Sequence, residues 1–315
     1  MTFLTLPQHP LGRSQQPFGL DYASAGDPSH PAVMLVMGLG TQRTAWPEEL
    51  IQALVRQGYR VVSFDNRDVG LSTQLNHLRA PHLPWALLRT LMGIRVPSPY
   101  SLTELAQDAL ALMDALGIAQ AHVVGASMGG MIAQLMAVQA PQRILSLTSI
   151  MSTTGRRGLP GPTAAARRRL MTRPPRHATP EQIAEHFLQT FKVIGSPQST
   201  EPDQSLRERL LASVKRAYNP AGTLRQLAAI LADGSRVKRL ATLKVPTLVL
   251  HGEADPLIPI ACGRDTADCI TGAQFVAIKG MGHDFAPGPL ADLTSALLKF
   301  LTQQRQNEMP AGVPR

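Results

Sequence analysis

Cysteine is nearly absent from this 315-residue chain: only Cys262 and Cys269 occur. Seven residues apart in one helix, their Cα atoms would stand about 10 Å apart, too far for a disulfide, so both are expected to be reduced and packed. No apolar run is long enough to span a bilayer, which argues against stable membrane insertion. Residues 1–19 lack the basic-then-apolar layout of a secretion signal, making the cytoplasm the expected compartment. No Cys/His cluster has metal-ligand spacing, and the glycine patterns that cradle phosphates or dinucleotides are missing, so neither a metal nor another cofactor is expected. Apolar residues, at 44%, are plentiful. They suffice for one large α/β core carrying an insertion.

Strand-like and helix-like segments alternate along the chain. Phe18 to Tyr22 and Val33 to Met37 read as strands joined through a turn at Asp27-Pro28. Pro47 opens a helix that turns Leu50, Ile51, Leu54 and Val55 inward and ends near Gly58. Val61 to Phe64 is the next strand, and the proline-dotted stretch 77–99 with Trp85 predicts a loop or short helix at the rim. Ser101-Leu102-Thr103-Glu104 has the capping-box pattern; the helix it starts carries Leu105, Leu112 and Leu116 on one side and ends at Gly117. A strand at residues 121–124 and another from Ile144 to Ile150 flank a helix. The alternation predicts a mostly parallel sheet with helices on both faces and right-handed crossovers.

The 121–124 strand stops abruptly at Gly125-Ala126-Ser127-Met128-Gly129, and Gly130 to Ala140 continue as helix before Pro141. That is the pattern of a nucleophile elbow, in which a sharp turn presents a serine hydroxyl to a base and to backbone donors. A Cβ two residues either side of a strained serine would crowd the adjoining strand and helix, which explains the glycines. The base and acid are expected downstream, acid first. Val245 to His251 reads as a strand, and Asp255-Pro256 turns away beyond its end; Gln274 to Ile278 reads as another, followed by Gly280-Met281-Gly282-His283-Asp284. Asp255 and His283 thus leave the ends of consecutive strands, where ligands meet an open parallel sheet. Glu253 competes for the acid position, but the Asp-Pro step fits a tight turn better. Asp284 reads as a solvated loop residue, and His122, His177, His186 and His251 as packed or surface residues.

On these motifs the chain resembles the α/β-hydrolases, and within them the aclacinomycin methylesterase-like branch. The further matching residues are Leu35-Val36-Met37-Gly38-Leu39-Gly40 and Phe64-Asp65-Asn66-Arg67-Asp68-Val69-Gly70-Leu71-Ser72. The resemblance implies an oxyanion hole made by the backbone N–H groups of Leu39 and Met128. It assigns the second segment a structural role, bracing the loop beside the site. Ser127, His283 and Asp255 would then act as nucleophile, general base and acid, and orienting carboxylate in the hydrolysis of small-molecule carboxylic esters through an acyl-enzyme. Thioesterase, lactonase and C–C bond hydrolase chemistry use the same three residues. A binding protein with an idle triad is a further alternative.

Between Ser152 and Leu240 the strands stop, and Thr179-Pro180-Glu181-Gln182 and Asn219-Pro220 each start a helix. The expected organisation is a core of residues 1–151 and 241–304, a helical cap at 152–240, and a disordered tail at 305–315. The cap carries 16 Lys and Arg against 6 Asp and Glu, whereas the rest has 15 against 16. Such a segment could steer anionic substrates, dock on an anionic surface, or simply be a solvated arginine-rich face, the reading preferred from sequence. Few aromatics and no binding motif speak against nucleic acid. Met37, Met151 and Met281, with Gly38, fall near the serine end of predicted strands, either as pliable pocket walls or as ordinary core filling; Met128 shares this position. Oligomeric state is left open.

Overall fold

A computed structural model describes residues 2–6 and 18–308. Eight strands form one sheet in the order β1-β2-β4-β3-β5-β6-β7-β8. The first two, β1 (Thr2–Thr5) and β2 (Gly19–Ala25), are antiparallel to their neighbours, with β2 set against β4 (Arg60–Phe64). From β4 onward every pairing is parallel, through β3 (Ala32–Val36), β5 (Ala121–Ala126), β6 (Ile144–Ile150), β7 (Thr247–Gly252) and β8 (Gln274–Ile278). The edge strand β1 has mostly exposed residues and no apolar alternation, which is why sequence pattern did not reveal it.

Two apolar layers sandwich the sheet, and the period-two alternation of the strands feeds both. On β3, Ala32, Met34 and Val36 face a cluster containing Leu105 and Leu112 of α3 (Leu102–Ala115) and Met131 and Ile132 of α4 (Met128–Gln139). Val33 and Leu35 face the opposite cluster, with Leu50 and Leu54 of α1 (Glu48–Arg56) and Leu297 and Leu301 of α11 (Pro289–Glu308). Ile51 and Val55, expected to point inward, are only partly buried at the edge of that cluster. The capping box forms as read: the Glu104 N–H donates to Ser101 Oγ at 3.2 Å, and the Ser101 N–H donates to the Glu104 carboxylate at 2.8 Å. A short helix, α2 (Leu83–Leu91), stands in the proline-dotted stretch.

Five helices separate β6 from β7: α5 (Ala164–Leu170), α6 (Pro180–Ile194), α7 (Asp203–Arg216), α8 (Pro220–Asp233) and α9 (Val237–Leu240). Helices α6 and α8 start at the residues expected, with Thr179 accepting from the Gln182 N–H and Asn219 from the Gly222 N–H. Helix α10 (Ile260–Cys269) carries both cysteines, which are free; Cys262 is buried and Cys269 half-buried. Helix α11 extends to residue 308, so 305–308 are helical instead of part of a tail. Arg305 anchors this turn, donating to Gln57 O and lying over the Tyr59 ring. Residues 309–315 lie outside the described residues. Among the described residues no helix is long and apolar enough to cross a membrane.

Candidate active site

Ser127 sits between β5 and α4 with φ 56° and ψ −120°, a left-handed conformation that a serine adopts only under surrounding constraint. Its flanking glycines are steric necessities. A Cβ on Gly125 would lie 2.1 Å from Gly129 O, and one on Gly129 would lie 2.0 Å from Val36 O. The elbow is also pinned through its backbone: the Ser127 N–H donates to Ile150 O at 2.9 Å, and its carbonyl accepts from Gly130 N, Met131 N and Ser152 Oγ. The strain is therefore held by bonds to β6, by the first turn of α4 and by Ser152.

The sheet brings Asp255 and His283 to this serine from the ends of β7 and β8. His283 Nε2 lies 3.0 Å from Ser127 Oγ, and His283 Nδ1 lies 2.7 Å from Asp255 Oδ2. With Nδ1–H donating to the carboxylate, Nε2 is left to accept the serine proton. The Asp-Pro turn does what its sequence suggests: Asp255 Oδ1 accepts from the Leu257 and Ile258 N–H groups at 2.8 and 2.9 Å, which fixes the carboxylate. Asp255 is 5% exposed, whereas Glu253 is exposed and outside the constellation. His251 stands 3.7 Å from Asp255 Oδ2, but its Nε2–H donates to Ile258 O at 2.7 Å. Burial holds His251 below the usual imidazole range, so it stays neutral beside Asp255.

The loop after β3 closes the third side. A Cβ on Gly38 would come 3.1 Å from Ser127 Cβ, so Leu39 follows directly on a residue touching the serine. Asn66 Nδ2 donates to Met37 O at 3.0 Å, and the Gly40 N–H donates to Gln226 Oε1 at 2.9 Å. The Met128 amide is the first of α4 and so one of the helix's four N-terminal donors without an intrahelical partner. Met37, Met151 and Met281 are 4%, 3% and 1% exposed and belong to the α1/α11 core layer, while the Met128 side chain belongs to the α3/α4 layer. Gly38, another of the expected pocket residues, lies against Ser127.

Two sequence readings need correction. Asp284 is not a solvated loop residue: its carboxylate accepts from Ser196 N at 3.0 Å and Ser196 Oγ at 2.5 Å. Through this contact the end of α6 clasps the histidine loop. The His283 N–H donates to Ile194 O at 2.7 Å and the Gly282 N–H to Ser196 Oγ at 2.9 Å, so close that a Cβ on Gly282 would meet the Gly195 backbone at 2.2 Å. Nor are all the insertion's arginines solvated. Arg225 pairs with Asp68 at 2.6 Å and Arg216 with Asp21 and Asp65 at 2.6 and 2.7 Å. Arg236 donates to Gln134 Oε1 at 2.9 Å and Thr153 O at 2.7 Å and pairs with Asp233. These three guanidiniums are withdrawn from water because carboxylates or carbonyls await them.

The 65–72 segment braces the site as expected. Arg67 pairs with Asp108 at 2.5 Å, Asp68 accepts from Tyr100 Oη at 2.8 Å, and Ser72 Oγ donates to Asp65 O. His122 is packed, its Nδ1 2.8 Å from Ser146 Oγ. Gln226 was not foreseen. Fully buried on α8, it accepts from Gly40 N and donates to Arg67 O at 2.8 Å, so it ties the loop after β3 to the brace. No local pattern marks such a residue, because its partners lie more than 150 positions away.

A strained serine at the centre of a mostly parallel sheet, with histidine and carboxylate delivered from the next strand ends, defines a class. The model of the alpha/beta hydrolase fold matches residues 31–286, and the chain belongs to that family and is a hydrolase. It is 30% identical over 280 residues to rhodomycin D methylesterase DauP of Streptomyces sp. (strain C5), covering 82% of this chain and 86% of that one. It is 26% identical to the putative carbamate hydrolase RutD of Caulobacter vibrioides (strain NA1000 / CB15N), over 90% and 95% of the two chains. Among solved structures, a hydrolase from Pseudomonas aeruginosa PA01 superposes with a TM-score of 0.67 at 27% identity, over 95% of this chain and 97% of that one.

Proposed function

We propose that this chain hydrolyses carboxylic esters of small molecules through an acyl-enzyme formed on Ser127. His283 Nε2 takes the Ser127 proton as Oγ attacks the ester carbonyl, and Asp255 holds the imidazole tautomer and stabilises the imidazolium. The Leu39 and Met128 N–H groups receive the negative charge that develops on the carbonyl oxygen. His283 then protonates the departing alcohol, and a water activated by the same nitrogen releases the acid. The helical insertion at 152–240 acts as a cap over this site. No cofactor enters any step.

The observation that carries the reading is the continuous chain of contacts, 3.0 Å from serine to imidazole and 2.7 Å from imidazole to carboxylate. Esterase chemistry is favoured over the other reactions of such a triad by the likeness to a methylesterase at 30% identity. A fluorophosphonate probe tests it directly. The wild type is expected to label at Ser127 and to hydrolyse p-nitrophenyl esters, and Ser127→Ala to do neither while keeping its thermal midpoint. Ester turnover surviving in Ser127→Ala would sink the assignment.

A further inference from the structure

We infer that the α2 face of this protein is a docking surface for an anionic phospholipid bilayer. Five of the ten large apolar side chains exposed among the described residues lie within ten positions: Trp85, Leu88, Leu91, Met92 and Ile94. Leu91 is 85% exposed. Trp85, Leu88 and Met92 fall at i, i+3 and i+7 with Leu91 beside them, so they share one side of α2 and its C-terminal turn. The opposite side is occupied, with Ala86 buried and α2 packed against α8. An amphipathic helix normally turns its apolar stripe to the core, whereas this one turns it outward.

The chain that carries that stripe has charge of one sign. No Asp or Glu occurs anywhere from residue 69 to 103, while Arg79, Arg89 and Arg95 do. A fourth cation comes from the insertion: Arg157 lies 3.2 Å from where a Cβ of Gly93 would stand. None of these four has an ion-pair partner among the described residues, in contrast to Arg216, Arg225 and Arg236. Arg157 is followed by exposed Arg167, Arg168 and Arg173 in a stretch, 152–180, that again has no acidic residue, and its neighbour Arg156 pairs with Asp265.

The occupant follows from this combination. A second copy docked face to face would bring two patches of the same sign together, with no acidic residue from 69 to 103 to offset them. A bilayer with anionic headgroups answers both features at once. The apolar stripe enters the headgroup and acyl boundary while the guanidiniums stay at the phosphates, with tryptophan at the interface. Docking of this kind is peripheral and needs no spanning helix, and it does not depend on the chemistry at Ser127.

The protein supplies its own reporter, since it has two tryptophans and Trp46 is only 3% exposed. Vesicles of phosphatidylcholine with equimolar phosphatidylglycerol are expected to co-float the full chain at low salt and to shift its tryptophan emission to the blue. Phosphatidylcholine alone should bind it weakly. Trp85→Phe should abolish the spectral shift but keep flotation. The double variant Trp85→Ser/Leu91→Ser should bind the anionic vesicles at least about tenfold less tightly, with thermal midpoint and hydrolysis of a soluble ester unchanged. Absence of flotation on the anionic vesicles would overturn the proposal. So would undiminished binding of the double variant, which would reduce the effect to net charge. A concentration-dependent dimer dissolved by Leu91→Ser would overturn it too, by assigning the face to a second copy.

Discussion

The strand-bearing body and the helical insertion handle charge in opposite ways. The body is nearly balanced, and several of its carboxylates are buried: Asp21, Asp65, Asp68 and Asp108 are at most 1% exposed. The insertion is strongly basic, and its arginines divide into two populations. Arg216 and Arg225 cross to the body's Asp21, Asp65 and Asp68, and Arg236 closes onto Gln134, Thr153 and Asp233. Arg167, Arg168, Arg173 and Arg176 stay in solvent. The imbalance is thus partly a fastening: three acids of the body receive two bases of the insertion. The insertion also holds two loops of the candidate site by hydrogen bonds. Gln226 holds the loop after β3, and Ile194 and Ser196 hold the histidine loop. The body carries the candidate triad, and the insertion fixes where two of the loops around it stand.

This division can be broken from either side. The largest effect is expected in the body, where Asp255→Asn should lower kcat about 10⁴-fold by allowing the wrong imidazole tautomer, with little change in thermal midpoint. Arg225→Met breaks the fastening and leaves Asp68 buried and half-paired; urea unfolding should show a loss of about 3–5 kcal/mol. A loss under about 1 kcal/mol would show that water replaces the pair and that the insertion is fastened elsewhere. Gln226→Leu should act on catalysis from the insertion, lowering kcat about a hundredfold with KM nearly unchanged, because in the proposed mechanism the loop it holds serves only the transition state. An equal effect on KM and none on kcat would confine Gln226 to fold stability or substrate contact.

A smaller effect belongs to the body's core. Burial, with Arg305 adding to it, pushes His122 down to about 4 from the ordinary histidine value of 6.5. The unfolded chain takes up this proton near pH 6.5 and the folded chain only near 4. Stability is therefore lost as pH falls through that window and no further below it. Comparing wild type with His122→Asn by urea unfolding should isolate a pH-dependent difference of roughly 2–3 kcal/mol between pH 7 and 4. The smallest effect is expected from the solvated arginines. Exchanging Arg167, Arg168, Arg173 and Arg176 for Gln should change stability by no more than about 0.5 kcal/mol per site.

Much of the body was legible because its signals are local. The elbow glycines, the Asp-Pro turn, the Ser101 capping box and the alternating strands each depend on neighbours within a few residues. Structure and sequence agree at all of them. The insertion was legible as helices but not as a fastening. Arg225 and Arg168 look alike in sequence, yet one meets Asp68 in the interior and the other meets water. Asp284 was misread for the same reason. Its neighbours suggest a loop, and only the arrival of Ser196, 88 positions away, makes it a half-buried acceptor.

By itself the sequence determined the alternation of the central strands and helices, the strained serine turn and the identity of the acid and base candidates. Steric exclusion, turn geometry and hydrophobic period act over short stretches of chain. Tertiary structure alone decided the 3.0 and 2.7 Å contacts, the neutral His251 beside Asp255, and which arginines are buried. It also decided that α2 turns its apolar side outward. Each of these depends on what distant segments bring to the same place, and on whether water is left there once they arrive.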